Sequence, residues 1–132
     1  MAKRTVQTWL DDFTNAVNQL EKTRNKPMDE DFDRRDSAIQ RFEFSFELAW
    51  KTLKALLLKE GGVVVQFPKD ALREAYASGW IADEALWLRM LDDRNLTSHT
   101  YDKVLAQEIY NRLPDYLPVL KKLIVELENH AS

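Results

Sequence analysis

The sequence predicts an all-α protein, an up-and-down bundle of four to five helices joined by short connections. Apolar residues recur at intervals of three and four over long segments, which is the spacing of amphipathic helices. Only three glycines and four prolines interrupt the 132 residues. The β-branched run VVVQF, residues 63–67, has no second strand candidate to pair with, and an isolated strand is marginally stable. We therefore predict an extended connection at 63–67.

The first predicted helix covers about residues 5–24, and its apolar stripe indicates one buried face. The stripe consists of Val6, Leu10, Phe13, Val17 and Leu20. The segment NKPMDEDFDRR follows, and its proline and acidic run predict a solvated loop. The acidic residues Asp29, Glu30, Asp31 and Asp33 could suggest a metal site. Because they are adjacent and lack a histidine partner, we interpret them as solvent-exposed charges near a helix start.

The second predicted helix, about residues 33–59, has the strongest pattern and ends at Gly61 and Gly62. Its main stripe consists of Ile39, Phe42, Phe46, Ala49, Leu53 and Leu56. Further apolar residues, among them Phe44, Leu48 and Trp50, widen this surface beyond one side. Such a helix packs against several neighbours or against a second copy of the chain.

Three more helical segments complete the prediction. A short third helix spans 68–77, begins with Pro68 and is closed by Gly79. A fourth begins near residue 82 and carries Trp87 and Met90 on its apolar side. The final segment, 102–128, reads as helix, and we expect its prolines at 114 and 118 to bend or restart it near 111–115.

Length and composition restrict the possible classes. We expect one domain, residues 1–132, because this length is sufficient to bury a core. No apolar stretch approaches the roughly 20 residues that a membrane span needs, and the N-terminus lacks the apolar core of a signal peptide, so we expect a cytoplasmic protein without membrane contact. The absence of cysteine and the wide separation of the two histidines argue against disulfides, a metal site or a cofactor. A net charge of −3 argues against broad nucleic-acid binding but allows a small basic site.

Chemically useful residues are concentrated in DDRNLTSHTYD, residues 92–102. A histidine can exchange protons at physiological pH, and an arginine can hold a phosphate through two parallel hydrogen bonds. In metal-independent RNA cleavage, His99 would be the base or acid, Arg94 would stabilise the phosphate charge and Asn95 would orient one of them. On one continuous helix Arg94 and His99 would lie about 140° apart, so this role requires a bend or end between them, or a long reach by Arg94.

The spacing of Arg94 and His99 is by itself weak support for a site. On spacing alone we favour a simpler interpretation, in which Asn95 ends one helix, Thr97 or Ser98 starts the next, and His99 is exposed. In that interpretation Tyr101 is a partly buried packing residue.

Three blocks give the spacing a context: RFEFSFELAWKTLKALL at 41–57, FPKDALREAYASGWI at 67–81 and LDDRNLTSHTYD at 91–102. In this order they resemble the nucleotidyltransferase substrate-binding protein family, which belongs to the HEPN superfamily and is related to HepT-type toxins. The resemblance covers about residues 5–128, nearly the whole chain.

The resemblance implies a HEPN-like helical bundle that forms a homodimer and works with a small nucleotidyltransferase encoded by an adjacent gene, often as a toxin–antitoxin pair. The signature of the active ribonucleases in that superfamily is Arg, a polar residue, a few variable residues and His, which matches Arg94, Asn95 and His99 here. In the HepT branch a tyrosine two residues after the histidine receives AMP from the partner enzyme, and Tyr101 matches that position. The AMP would block RNA by charge and volume.

Two other functions stay open at this point. In a substrate-binding accessory subunit, Arg94 and His99 would bind a nucleotide or another phosphorylated substrate without chemistry, and Glu47 or Lys51 of the second helix would line a cleft facing Arg94. An ordinary surface ion pair is the simpler interpretation of Glu47 and Lys51. The third possibility is a structural interaction module with an inactive site. Tryptophans 50, 80 and 87 could stack a base, but their apolar positions favour packing.

Overall fold

The computed structural model describes residues 4–25 and 33–131, and within them it contains five α-helices and no strand. The helices are α1 (Val6–Arg24), α2 (Asp33–Gly61), α3 (Pro68–Ala77), α4 (Glu84–Leu96) and α5 (Lys103–Ala131), with a short 3₁₀ turn, Thr97–His99, between α4 and α5. The predicted all-α class is therefore confirmed. Asp29, Glu30 and Asp31 of the predicted acidic loop lie outside the described residues.

α2 is the central helix, and it contacts every other helix as well as the 3₁₀ turn. Its predicted stripe is buried, and so are Trp50 and Leu57 on a further side. This broad apolar surface explains how one helix can pack against α1, α3, α4 and α5 at once. α1 packs most extensively against α2, and all five residues of its predicted stripe are buried.

Local chemistry fixes the helix boundaries close to their predicted positions. The Thr5 hydroxyl accepts a hydrogen bond from the Thr8 backbone N–H at 3.1 Å and caps α1. Asp83 caps α4 in the same way through the Leu86 N–H, at 3.0 Å. Gly62 and Gly79 follow α2 and α3 with φ angles of 65° and 78°, a conformation that favours glycine. Residues 62–67 connect α2 to α3 without helix or strand, as predicted for the β-branched run at 63–67.

Of the bend or restart predicted near the prolines of the last helix, the restart does not occur, because α5 continues as one helix through Pro114 and Pro118. Each proline removes one backbone hydrogen bond and clashes with the preceding turn, at a cost of about 3 kcal/mol or more. The two prolines are four residues apart and share the exposed side of α5. On the buried side Leu113, Tyr116 and Leu120 are fully enclosed, and their packing offsets the cost of the prolines.

None of the helices within the described residues has both the length and the apolar character needed to cross a bilayer.

The C-terminal end of α5 is attached to the bundle through His130. Its Nδ1 lies 2.9 Å from a carboxylate oxygen of Glu60 at the end of α2, and its Nε2 lies 3.2 Å from Glu126 one turn earlier. The imidazole also packs against Trp80, with ring centroids 5.3 Å apart. Partial burial by itself lowers the pKa of His130, but the two carboxylates outweigh it and raise the pKa above its ordinary value of 6.5.

This attachment should weaken as the pH rises. Because the folded chain holds the His130 proton more tightly than the unfolded chain, its stabilisation is complete below the ordinary pKa of 6.5 and declines as the pH passes through the raised pKa of the folded state. Urea unfolding at pH 6 and pH 9 should show that His130→Gln lowers the free energy of unfolding more at the lower pH, by up to about 1 kcal/mol, while the loss of the Trp80 contact is the same at both. In a Glu60→Gln, Glu126→Gln control this difference should nearly vanish. Equal losses at both pH values would contradict the assignment.

Candidate functional site

The candidate site begins where α4 ends. The α-helix stops at Leu96 and the chain continues as the 3₁₀ turn, so Arg94 and His99 lie on different elements. The Thr97 hydroxyl donates to the Arg94 carbonyl oxygen at 2.6 Å, a local bond that competes with further α-helix. Of the arrangements that the sequence left open, the structure adopts the one in which the helix ends between the two residues.

Asp102 begins the next helix. One of its carboxylate oxygens accepts hydrogen bonds from the backbone N–H groups of Val104 and Leu105, at 3.0 and 3.2 Å. The Thr100 hydroxyl donates to the Thr97 carbonyl oxygen at 3.2 Å. His99 and Tyr101 therefore lie in a short connection that is fixed at both ends.

Arg94 reaches across the bundle to α2. Its Nη2 donates to Oε2 of Glu47 at 2.7 Å, and the other oxygen of that carboxylate lies 3.4 Å from Nζ of Lys51. The Arg94 and Glu47 side chains are each about one-third exposed, at 33% and 29%. The Nε of Arg94 is buried and has no hydrogen-bond partner among the described residues. The structure thus brings Arg94, Glu47 and Lys51 together in one partly open cluster.

The charges of this cluster are strongly coupled. Partial burial by itself raises the pKa of Glu47, but the Trp50 indole N–H, the Arg94 guanidinium and the Lys51 ammonium outweigh it and lower the pKa. Glu47 is therefore ionised at neutral pH, and its carboxylate provides an anion between two cations.

His99 and Tyr101 form a second group in the connection. The His99 Nδ1 lies 3.1 Å from the Tyr101 hydroxyl, and the two rings meet edge to face with centroids 5.8 Å apart. Both side chains are exposed, and Tyr101 is 81% exposed, so the structure does not bury it as a packing residue. The imidazole is thus accessible to solvent while one of its nitrogens is held by a neighbour.

No hydrogen bond joins the Arg94 cluster to His99 and Tyr101 within the described residues; the Thr97–His99 turn connects them. Asn95 is exposed, and its backbone carbonyl accepts a 3.5 Å hydrogen bond from the Ser98 hydroxyl. The arrangement offers a partly exposed guanidinium and, one turn further along the chain, an exposed imidazole. Such a pair can bind a phosphate and exchange a proton beside it.

A buried network next to Arg94 was not predicted from the sequence. Asp93 is only 3% exposed, and its carboxylate accepts two hydrogen bonds from Arg112 of α5, at 2.7 and 2.8 Å, and one from the Tyr116 hydroxyl at 2.5 Å. The Tyr116 oxygen in turn accepts a 3.2 Å bond from Nε of Arg89. A buried carboxylate is costly unless it is paired and hydrogen-bonded, and this one is both.

The protonation states of this network follow from its contacts. Burial, and then the hydrogen bond to Asp93, raise the pKa of Tyr116 to about 12. The phenol therefore stays protonated and donates to the carboxylate. The hydrogen bonds to Asp93 also raise the pKa of Arg112, against the opposing effect of partial burial. The network holds the end of α4 against α5.

The sequence did contain one signal for this network. Trp87, Met90 and Asp93 follow one another at intervals of three and all three are buried, so Asp93 occupies a position that its helix periodicity assigns to the core. An acidic residue on an apolar stripe requires a buried partner. The sequence did not indicate which cation of α5 would supply it.

Comparison with known proteins assigns the chain to a protein family. Residues 8–129 match the family described as "Nucleotidyltransferase substrate binding protein like". A curated protein of Haemophilus influenzae, "Probable ribonuclease HepT", is 40% identical over 84 residues, which cover 61% of this chain and 58% of that protein. The match thus spans less than two-thirds of the length of this relative.

Two solved structures share the fold. A protein from Thermus thermophilus is 37% identical and superposes with a TM-score of 0.79 over 87% of this chain and 98% of its own. A Haemophilus influenzae protein, described as having the fold of a substrate binding domain of a nucleotidyltransferase, is 33% identical, with a TM-score of 0.80 over 90% of this chain and 98% of its own. The helical arrangement is therefore common to all three chains.

The buried network should be a major source of stability. In Asp93→Asn the carboxylate charge is lost and one amide NH₂ faces Arg112, so we expect the free energy of unfolding to fall by about 2 to 4 kcal/mol. Asp92→Asn changes the same charge at the exposed neighbouring position and should change the stability by less than about 0.5 kcal/mol. Urea denaturation of both variants provides the test. A similar small effect in both would show that the network does not stabilise the fold.

Proposed function

The chain belongs to the nucleotidyltransferase substrate binding protein like family, and we propose that it partners a minimal nucleotidyltransferase and cleaves RNA without a metal ion at Arg94, Asn95 and His99. The observation that supports this most is the exposed His99 imidazole, which lies on the 3₁₀ turn immediately after the helix that carries Arg94. The similarity to a protein described as a probable ribonuclease also supports the proposal, although the match covers only 58% of that protein.

The proposed reaction needs only the chain, the RNA and solvent water. His99 accepts the proton of a ribose 2′-hydroxyl, and that oxygen forms a bond to the adjacent phosphorus. The bond from phosphorus to the 5′ oxygen breaks, and the leaving oxygen takes a proton from solvent. The products are a 2′,3′-cyclic phosphate and a 5′-hydroxyl end.

Arg94 stabilises the charge that develops on the phosphate. In the structure its Nη2 is engaged by Glu47, while its buried Nε has no partner within the described residues. An unsatisfied buried donor is costly. A phosphate that takes the place of the Glu47 carboxylate can accept from Nε and Nη2 together, in the bidentate geometry that guanidinium groups favour.

We propose that Tyr101 receives AMP from the partner enzyme. Its hydroxyl is exposed and lies 3.1 Å from Nδ1 of His99, which can accept its proton. The phenolic oxygen attacks the α-phosphorus of ATP bound to the partner, a bond to phosphorus forms, and pyrophosphate leaves. The added phosphate would engage His99 and exclude RNA, which would switch the ribonuclease off.

The second candidate function is a substrate-binding accessory subunit of the nucleotidyltransferase. The arrangement of Arg94, Glu47 and Lys51 supports it, because these residues form a partly open charged cluster that can bind an anion without help from the imidazole. The similar Haemophilus influenzae structure is described as a substrate binding domain. In this function Arg94 and His99 bind a phosphorylated substrate and no bond is broken. An interaction module with an inactive site is the third candidate.

We also propose that the domain works as a homodimer. Leu96 and Val104 are exposed on either side of the connection, at 37% and 70%, and a second copy could cover them. Light scattering should then give twice the 15.5 kDa mass of one chain. A mass of one chain would contradict the proposal.

The ribonuclease proposal is tested by removing the imidazole. His99→Ala should lower the rate of RNA cleavage in EDTA by about 10² to 10⁴-fold, the usual contribution of an acid–base group. His130→Ala removes the other histidine, which lies at the far end of α5, and should cleave at the wild-type rate. Circular dichroism should show that both variants are folded. Intact RNA with the wild-type chain would favour the accessory function, and cleavage by His99→Ala would remove His99 from the mechanism.

The modification is tested by mass spectrometry. Incubation of the chain with its nucleotidyltransferase partner and ATP should add mass in units of AMP, and Tyr101→Phe should prevent the addition because the accepting oxygen is absent. Tyr76→Phe alters another exposed tyrosine, on α3, and should leave the modification intact. An unchanged wild-type mass, or equal modification of both variants, would contradict the role of Tyr101.

A further inference from the structure

A second cluster of cations and aromatic rings adjoins the candidate site and shares Lys51 with it. It is a groove of about 430 Å³ between α1 and α2, lined by Arg4, Trp9, Trp50, Lys51 and Lys54 among others. Nucleic-acid-binding grooves combine positive charge, which attracts phosphates, with aromatic rings, on which bases stack. The overall charge of −3 makes such a local concentration of cations unusual for this chain.

Trp9 is the aromatic ring that a ligand can reach. Trp50 and Trp87 belong to the buried core and Trp80 packs against it, whereas Trp9 is only partly buried and lies outside that set. The Arg4 guanidinium lies over the Trp9 ring, 3.8 Å from its centroid. The guanidinium therefore covers this ring face, and a flat ligand can stack there only by displacing Arg4. An exposed ion pair with Asp12 holds Arg4, and such pairs are weak enough for a ligand to displace the guanidinium.

The two lysines of the groove lie three residues apart, on one face of α2. Lys51 lies 5.9 Å from the centroid of Trp9, and Lys54 lies 5.9 Å from that of Trp50. Lys51 also contacts Glu47, but no carboxylate pairs with Lys54 in the described part of the chain. An anion bound beside Lys54 would gain a charge partner without breaking an existing ion pair.

We infer that this groove binds a nucleotide, with its base over Trp9 and its phosphate beside Lys54 and Lys51. A protein surface would also fit an aromatic groove, but the cations around the ring favour a ligand that is both flat and anionic. The ligand can be a free nucleoside phosphate or one nucleotide of a single-stranded RNA.

The groove is continuous with the Arg94 cluster. Glu47, which binds Arg94, and Lys54 are separated by seven residues of α2, or about 10 Å at 1.5 Å per residue. Lys51 lies between them and contacts both parts. A single strand held at Arg94 could therefore continue along α2 into the groove. The inference extends the proposed function, but nucleotide binding in the groove does not require that His99 acts as a catalyst.

Fluorescence anisotropy with a labelled, single-stranded 2′-O-methyl RNA tests the inference, because this probe has no 2′-hydroxyl to react. Trp9→Ala should weaken binding about tenfold, as for the loss of one stacked base, and Trp9→Phe, which keeps a ring, should retain most of the affinity. Lys54→Glu should weaken binding by roughly tenfold or more and reduce its dependence on salt. Titration calorimetry with ATP and the same variants tests whether a free nucleotide binds in the groove.

The controls make the same changes outside the groove. Lys59→Glu reverses a charge on the exposed end of α2, and Tyr76→Ala removes an exposed ring of α3; each should change the affinity by less than about twofold. The inference is supported if either probe binds and if its binding depends on Trp9 and Lys54. Binding of the RNA probe would identify a nucleotide of a single strand as the ligand, and binding of ATP would identify a free nucleotide. Equal losses in groove and control variants, or no binding of either probe, would overturn it. If the wild type binds through the groove but does not cleave RNA, the ribonuclease proposal fails and the inference stands.

Discussion

The buried carboxylate of Asp93 is the constraint on which the candidate site depends. Successive residues of an α-helix point about 100° apart, so when Asp93 faces α5, the next residue faces another neighbour. Arg112 and Tyr116 hold Asp93 against α5, and Arg94 then meets Glu47 of α2. Two consecutive side chains thus attach the end of α4 to two different helices. Because both contacts must form together, they fix the rotation of α4 and the direction in which the following turn leaves it.

Much of the fold could be predicted from the sequence because its cause is local. The stripes of α1 and α2 and the glycines after α2 and α3 determine where these helices lie and end. The continuity of α5 could not be predicted in this way, because the packing of Leu113, Tyr116 and Leu120 outweighs the local effect of the prolines, and that packing exists only in the assembled bundle.

The candidate site shows the same division between local and long-range causes. The sequence indicated the residue types at 94, 95, 99 and 101 and named Glu47 and Lys51 as possible neighbours of Arg94, but their contact depends on how α4 packs against α2. The helix end before His99 is stabilised by a short-range hydrogen bond of Thr97. Because its cause is local, the sequence could indicate a helix end at this position. The partners of Asp93 lie 19 and 23 residues away on α5. The helix periodicity of α5 does not specify which of its polar side chains will meet Asp93.

The Glu47 carboxylate connects the possible functions of this domain. An ionised carboxylate between Arg94 and Lys51 occupies the kind of position that a phosphate would take, and it satisfies both cations until a substrate binds. A phosphate must therefore compete with an anion of the protein, which disfavours weak, non-specific binding of polyanions. An acidic chain with a net charge of −3 adds a general repulsion to this competition. In the proposed functions, a ligand that contacts both Arg94 and the cations along α2 would gain several contacts at once and so overcome this competition better than a phosphate alone.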